Sequence, residues 1–304
     1  MWELRIGKRH AFRMVSVCSG LKHQTPAERA LARLAGVRYE PAMPFLSHAG
    51  LSLRYDRTGS GPPVLLIHGW MCNRTFWSRQ VQALRDRFTV VAVDLRGHGE
   101  SSRPRTGYVP GQLAADLDHL VRALGTSKIA VVGWSLGGVV AMELVRRLGE
   151  RATALALVGT TPGGLTDPKN PVANAETADA ARKAMRDDFR SYVRIFAARC
   201  FKEGVASPLA AWAATEMLKT PPAVAEAAFE ALLAADLRPH LKELKVPTVV
   251  LHGRHDELLP FAGGEHLAKH IPGAKLVAFE KSGHTPQLEE SDAFNAALSG
   301  FLAG

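Results

Sequence analysis

The chain has 304 residues, 46% hydrophobic and 22% charged, with 38 Lys and Arg against 29 Asp and Glu for a formal charge of +9. This is the composition of a soluble globular protein with ample material for a core, and no apolar run approaches the ~20 residues that a membrane span requires. Three scattered cysteines, Cys18, Cys72 and Cys200, suggest neither a disulfide framework nor a zinc site and point to a reducing, cytoplasmic interior.

The positive charge is unevenly spread. Residues 1–45 hold eight Lys and Arg against three Glu, which is five of the nine net charges, so the body of the chain is only mildly basic. No basic stripe interleaved with aromatics and no nucleic-acid module accompanies it, which argues against nucleic acid as a partner. Arg13 interrupts the apolar stretch Ala11–Val15, so the N-terminus does not read as a signal peptide. Thr25-Pro26-Ala27-Glu28 has the capping threonine, first-turn proline and following glutamate of a helix start, and a short helix to Leu34 or Ala35 is expected. Residues 1–42 read as a dispensable appendage, with the domain beginning at Met43.

From Leu51 the pattern becomes regular. Leu51–Tyr55 alternates as a half-exposed strand, Gly59–Pro63 is a turn, and Val64–Ile67 is a continuous apolar run expected of a strand buried on both faces. A helix near Thr75–Arg85, a strand at Thr89–Val93, a helix at about Leu113–Leu124, a strand from Ile129, a helix at Gly138–Leu148 and a strand at Ala154–Val158 follow. This alternation predicts an α/β fold with a mostly parallel, doubly wound sheet. It breaks off at Thr160–Gly164, and a long alanine-rich helical stretch precedes the next buried strand, Val246–Leu251. An insertion at the carboxyl ends of the strands reads as a helical lid, here residues 163–240. Residues 43–162 and 241–304 form the two parts of the core. The second holds a helix near Gly264–Lys269, a strand at Ala274–Phe279, the loop Ser282-Gly283-His284 and a closing helix to Leu302.

Gly133-Trp134-Ser135-Leu136-Gly137 lies between a β-branched strand and a helix, where a nucleophile elbow would sit. Gly133 and Gly137 would relieve the crowding of strand against helix and leave the Ser135 hydroxyl exposed. A nucleophilic serine needs a base, an acid that orients the base, and donors for the developing oxyanion. His284 is the best base, because it follows the last strand and Gly283 leaves its backbone free to turn inward. His68 and His98 adjoin strand-end turns and read as loop-fixing, and His252 and His255 as incidental. Asp256, just beyond a strand, is the favoured acid. Asp94 precedes the elbow and reads as the pin of the Arg96–Ser101 loop, Gly159-Thr160 leaves the other acid position empty, and Glu257 is the nearest substitute. The Leu136 N–H opens a helix, whose dipole favours an anion, and the Trp70 N–H belongs to the turn after Ile67. Both are candidate oxyanion donors, with the Trp70 ring expected in the pocket wall. This chemistry needs no cofactor and no metal.

His68-Gly69-Trp70, Asp94–Ser101, Gly133–Gly138, Asp256 and Ser282–His284 together make residues 43–304 resemble the α/β-hydrolases. Serine at 135 separates the chain from the dehalogenase and epoxide-hydrolase branches, which use aspartate there. His-Gly-Trp followed by Gly-Trp-Ser-Leu-Gly-Gly is similar to the pimeloyl-carrier-protein methyl ester esterases of biotin synthesis. The resemblance implies a cofactor-free serine carboxylesterase working through an acyl-enzyme on a small-molecule ester. The same residues would serve a lactonase, a carbon–carbon bond hydrolase or a perhydrolase. A ligand receptor with little turnover is the reading from another class.

In the predicted lid, Arg182, Arg186, Arg190 and Arg194 recur every four residues, as a basic stripe on one helix would. Met185, Phe189, Tyr192 and Phe196 mark the opposite, apolar face. Such a helix is either a solvated face over a packed one, or a docking surface for an acidic acyl carrier protein with Phe196 lining an acyl tunnel.

Overall fold

The computed structural model describes residues 44–48, 50–163, 165 and 175–304; the expected helix from Thr25 and the whole segment 1–42 lie outside them. Eight strands, β1 (Phe45–His48), β2 (Leu51–Thr58), β3 (Pro63–Ile67), β4 (Thr89–Val93), β5 (Ile129–Trp134), β6 (Ala152–Val158), β7 (Thr248–Gly253) and β8 (Lys275–Phe279), make one sheet in the order β1-β2-β4-β3-β5-β6-β7-β8. β2 pairs antiparallel with β1 and with β4, and every other pairing is parallel. Every residue of β5 and β7 is buried. That is why these strands read as unbroken apolar runs, without the alternation of a half-exposed strand.

The termini of some elements differ from expectation for local reasons. β6 begins two residues early, at Ala152, because a register shift between Ile129 and Ala130 of β5 lets the pairing extend. β1, which no pattern in the sequence marks, is a short edge segment that pairs its four residues with β2.

The helices are α1 (Ser78–Leu84), α2 (Pro110–Ala123), α3 (Leu136–Leu148), α4 (Ala175–Asp187), α5 (Phe189–Arg199), α6 (Ala210–Met217), α7 (Pro222–Ala234), α8 (Phe261–His270), α9 (Pro286–Glu289) and α10 (Ser291–Leu302). α2 starts at Pro110, a proline in the first turn where its missing N–H costs nothing. α2 packs on α3, and α1 on α10.

Helices α4 to α7 fall between β6 and β7. The basic stripe does not run along one helix. α4 ends at Asp187 and α5 starts at Phe189, while Asp188 between them is non-helical at φ −152° and its carboxylate accepts from the Ser191 N–H at 3.0 Å. A short carboxylate satisfies a free N–H at a helix start better than it serves a helix interior, so the chain breaks there. Arg182 on α4 is bound up with Glu230 and Asp179, whereas Arg190 and Arg194 on α5 are exposed.

Candidate active site

Strand β5 delivers Ser135 to the carboxyl edge of the sheet, and the backbone there turns abruptly into α3. Ser135 sits at φ +56°, a left-handed conformation that a non-glycine residue holds only when its surroundings impose it. The impositions are identifiable. The Ser135 N–H donates to Val158 O at 2.9 Å, and Ser135 O accepts from the Gly138 N–H at 2.9 Å and the Thr160 hydroxyl at 2.8 Å. A side chain on Gly133 would run into Gly137 O, and one on Gly137 into the carbonyls of Ile67 and His68. The elbow is therefore packed hard against the end of β3.

His284 lies in the loop after β8, with Nδ1 2.8 Å from Asp256 Oδ2. Asp256 is itself fixed, because its Oδ1 accepts from the N–H groups of Leu258 and Leu259, each at 2.9 Å. Burial by itself pushes the Asp256 carboxyl upward. Electrostatic interaction with the His284 ring and the hydrogen bonds from His252 and His284 outweigh it and hold the group below the usual carboxylate range. A neutral His284 that donates from Nδ1 to this carboxylate has Nε2 free to accept a proton.

His252, read from sequence as incidental, belongs to this arrangement. It is fully buried, with Nε2 2.8 Å from Leu259 O and 3.3 Å from Asp256 Oδ2. Leu259 O only accepts, so the proton resides on Nε2 and points toward both oxygens. Trp134, inside the elbow motif, carries no sequence signal for a further contact: its indole N–H donates to His284 O at 2.8 Å and ties the end of β5 to the histidine loop. Thr160, at the other acid position after β6, clamps the Ser135 carbonyl with its hydroxyl. Among the described residues, Ser135 Oγ has no hydrogen-bond partner, His284 included; such contacts often tighten only when substrate is bound.

The turn after β3 borders the serine: a Cβ on Gly69 would lie 3.2 Å from Ser135 Cβ. The N–H groups of Trp70 and Leu136 are not engaged by any other described residue. The Trp70 indole donates to Ala225 O on α7 at 2.9 Å, and its ring meets Phe196 at 5.0 Å edge-on and Phe229 at 5.1 Å stacked. Tyr192 completes this aromatic cluster at 6.3 Å from Trp70, its hydroxyl pushed by burial to a pKa of about 12.

The other candidates sit apart from this chemistry. His68 accepts from the Leu95 N–H at 3.0 Å and donates to Gly69 O, and burial lowers its pKa to about 4. His98 donates to Arg96 O and is lowered by burial to about 3. Both are neutral ties between loops. Asp94 takes the Arg74 guanidinium at 2.6 Å and the Glu100 N–H at 2.9 Å, which pins the loop that follows β4. Glu257 is exposed. Gly283 allows a close approach of another chain segment, since a Cβ there would stand 2.8 Å from Lys202 N. Among the described residues no group of three or more His, Cys, Asp or Glu is arranged to hold a metal ion, and no helix is long and apolar enough to cross a membrane.

A family model described as the alpha/beta hydrolase fold matches residues 62–291. The chain belongs to the α/β-hydrolases. This α/β-hydrolase is 29% identical over 252 residues to a pimeloyl-[acyl-carrier protein] methyl ester esterase of Nitrosomonas europaea, an alignment that covers 80% of the chain and 96% of the relative. Among solved structures it resembles an esterase from Exiguobacterium antarcticum at TM-score 0.80 and 27% identity, covering 86% of the chain and 99% of that esterase. The enol-lactonase from Burkholderia xenovorans matches at TM-score 0.77 and 27% identity, covering 86% and 100%.

Proposed function

We propose that this α/β-hydrolase is a serine carboxylesterase. The observation that carries the reading is the buried Asp256–His284 pair at 2.8 Å, set at the same sheet edge as the strained Ser135. Ser135 Oγ attacks the ester carbonyl as its proton passes to His284 Nε2, and the imidazolium then returns that proton to the departing alcohol. Asp256 holds the tautomer and stabilises the charged ring, and the N–H groups of Trp70 and Leu136 receive the oxyanion. Water repeats the sequence on the acyl-enzyme and frees the acid. No metal or cofactor enters the scheme.

Helices α4 to α7, within residues 163–240, act as the lid, and the ring faces of Trp70 and Phe196 offer an apolar wall for the acyl group. The name of the Nitrosomonas relative supports a methyl ester of a carrier-linked acyl chain as substrate. The scarce, scattered cysteines favour the cytoplasm as the compartment. The docking surface for an acidic carrier is then α5, where Arg190 and Arg194 are exposed beside Ile195, itself 63% exposed. Charge reversal at both arginines should raise KM for a carrier-linked ester at least tenfold and leave small soluble esters within twofold. Equal effects on both substrates would remove the docking reading. The likeness to an enol-lactonase makes lactones a second substrate class to assay beside the esters. Residues 1–42 are a dispensable appendage in this reading, so a chain starting at Met43 should retain activity and melting temperature.

A further inference from the structure

His284 is held at its ring by Asp256, but its position also depends on the loop that carries it. That loop is gripped by two consecutive carboxylates. Glu290 accepts from the Lys281 N–H at 2.9 Å and the Ser282 hydroxyl at 2.6 Å. Glu289, the last residue of α9, reaches both neighbours of His284: its Oε2 lies 2.9 Å from the Gly283 N–H and 3.0 Å from the Thr285 hydroxyl. Its other oxygen accepts from the Lys202 N–H at 2.7 Å, just beyond the end of α5. The same junction is fastened by Cys200 O, which accepts from the His284 N–H at 2.9 Å and lies 3.1 Å from the Thr285 hydroxyl. Any side chain at Gly283 would press on this seam, because a Cβ there would meet Phe201 C at 3.1 Å as well as Lys202 N at 2.8 Å.

One half-buried carboxylate thus receives main-chain donors from both the histidine loop and the inserted helices. Charge-assisted bonds of this kind are stronger and more directional than neutral ones. Asp256 sets the rotation of the imidazole, and Glu289 sets where the loop places it. Misplacing a reacting group by about 1 Å can cost on the order of a hundredfold in rate.

We infer that Glu289 is a positioning residue for ester hydrolysis, an inference that rests on the roles proposed for Ser135, Asp256 and His284. Its carboxylate locks the His284 loop to the end of α5, so that the base is aligned only while the inserted helices are seated.

Pre-steady-state hydrolysis of a p-nitrophenyl ester tests this in the full chain. Acylation and deacylation both use His284, so misplacing it slows both. Where acylation outruns deacylation, the burst amplitude counts competent sites and the burst rate reports acylation at each of them. Glu289→Gln should keep most of the amplitude and the half-saturating ester concentration within threefold, while the acylation rate per titrated site falls about 10- to 100-fold. Gly283→Ala, which leaves every carboxylate in place but presses on Lys202, should show the same split. A merely structural glutamate would lower the amplitude and leave the rate per site unchanged. That result, or a wild-type rate in both variants, overturns the inference. A wild-type enzyme that a fluorophosphonate does not label at Ser135, or a burst that survives Ser135→Ala, overturns the underlying catalytic reading instead.

Discussion

Ser135 occupies backbone space that only a few per cent of non-glycine residues enter, and the hydrogen bonds made by its main-chain N–H and carbonyl explain how it stays there. Ser135, Asp256 and His284 stand out in the sequence as candidates because their strand-end positions and their order mark them. His252 was not legible. A histidine four residues ahead of an aspartate has no signature of its own, and it matters only because the chain after Asp256 turns back and brings Leu259 O to within 2.8 Å of the ring. If its N–H steadies the Asp256 carboxylate, His252→Phe should lower kcat/KM about tenfold, and His252→Gln, which keeps a donor, should recover much of the loss. Equal losses in the two variants would mean that ring packing alone matters. Asp256 has its own pH signature. Its folded-state pKa lies below the value near 4 of an unfolded aspartate, so its contribution is present above about pH 4 and fades as the pH falls further. Wild type should therefore be more stable than Asp256→Asn at pH 7, with a smaller gap in acid, measured by urea unfolding.

At the scale of elements, the contact between the elbow and β3 does most to bring the site together. Gly137 allows the start of α3 to lie on the carbonyls of Ile67 and His68, which places the Trp70 turn beside the serine. Gly137→Ala should destabilise the fold by about 1–3 kcal/mol and reduce the burst rate together with stability, read by urea unfolding and by burst kinetics. Full stability with full activity would show that the elbow has slack. The α/β alternation was readable because buried parallel strands leave unbroken apolar runs, as in Val64–Ile67 and Thr89–Val93. The inserted region was less readable. A four-residue arginine spacing is compatible with one helix, but the break at Asp188 rests on a single cap, in which the Ser191 N–H donates to the Asp188 carboxylate only in the folded chain. The contact of Phe229 with Trp70 could not be foreseen either, since it depends on how α7 returns to the sheet.

Across the whole molecule, the buried neutral histidines set the response to acid. His68 and His98 have pKa values of about 4 and about 3 in the fold, against 6.5 for the free side chain. Between those values the unfolded chain binds more protons, so stability rises with pH across the window and is lost as pH falls from about 6.5 toward 4. The loss from His68 alone is on the order of 3 kcal/mol. The stability difference between wild type and His68→Gln should accordingly shrink between pH 7 and pH 4.5, and a constant difference would show that His68 does not titrate on unfolding. The assignment of Ser135 as the nucleophile of an esterase is open to active-site labelling. A fluorophosphonate followed by peptide mass mapping should place one covalent adduct on Ser135, slow labelling strongly in Asp256→Asn and His284→Ala, and leave Ser135→Ala unmodified. No adduct on the wild type, or the same adduct in Ser135→Ala, would contradict the account.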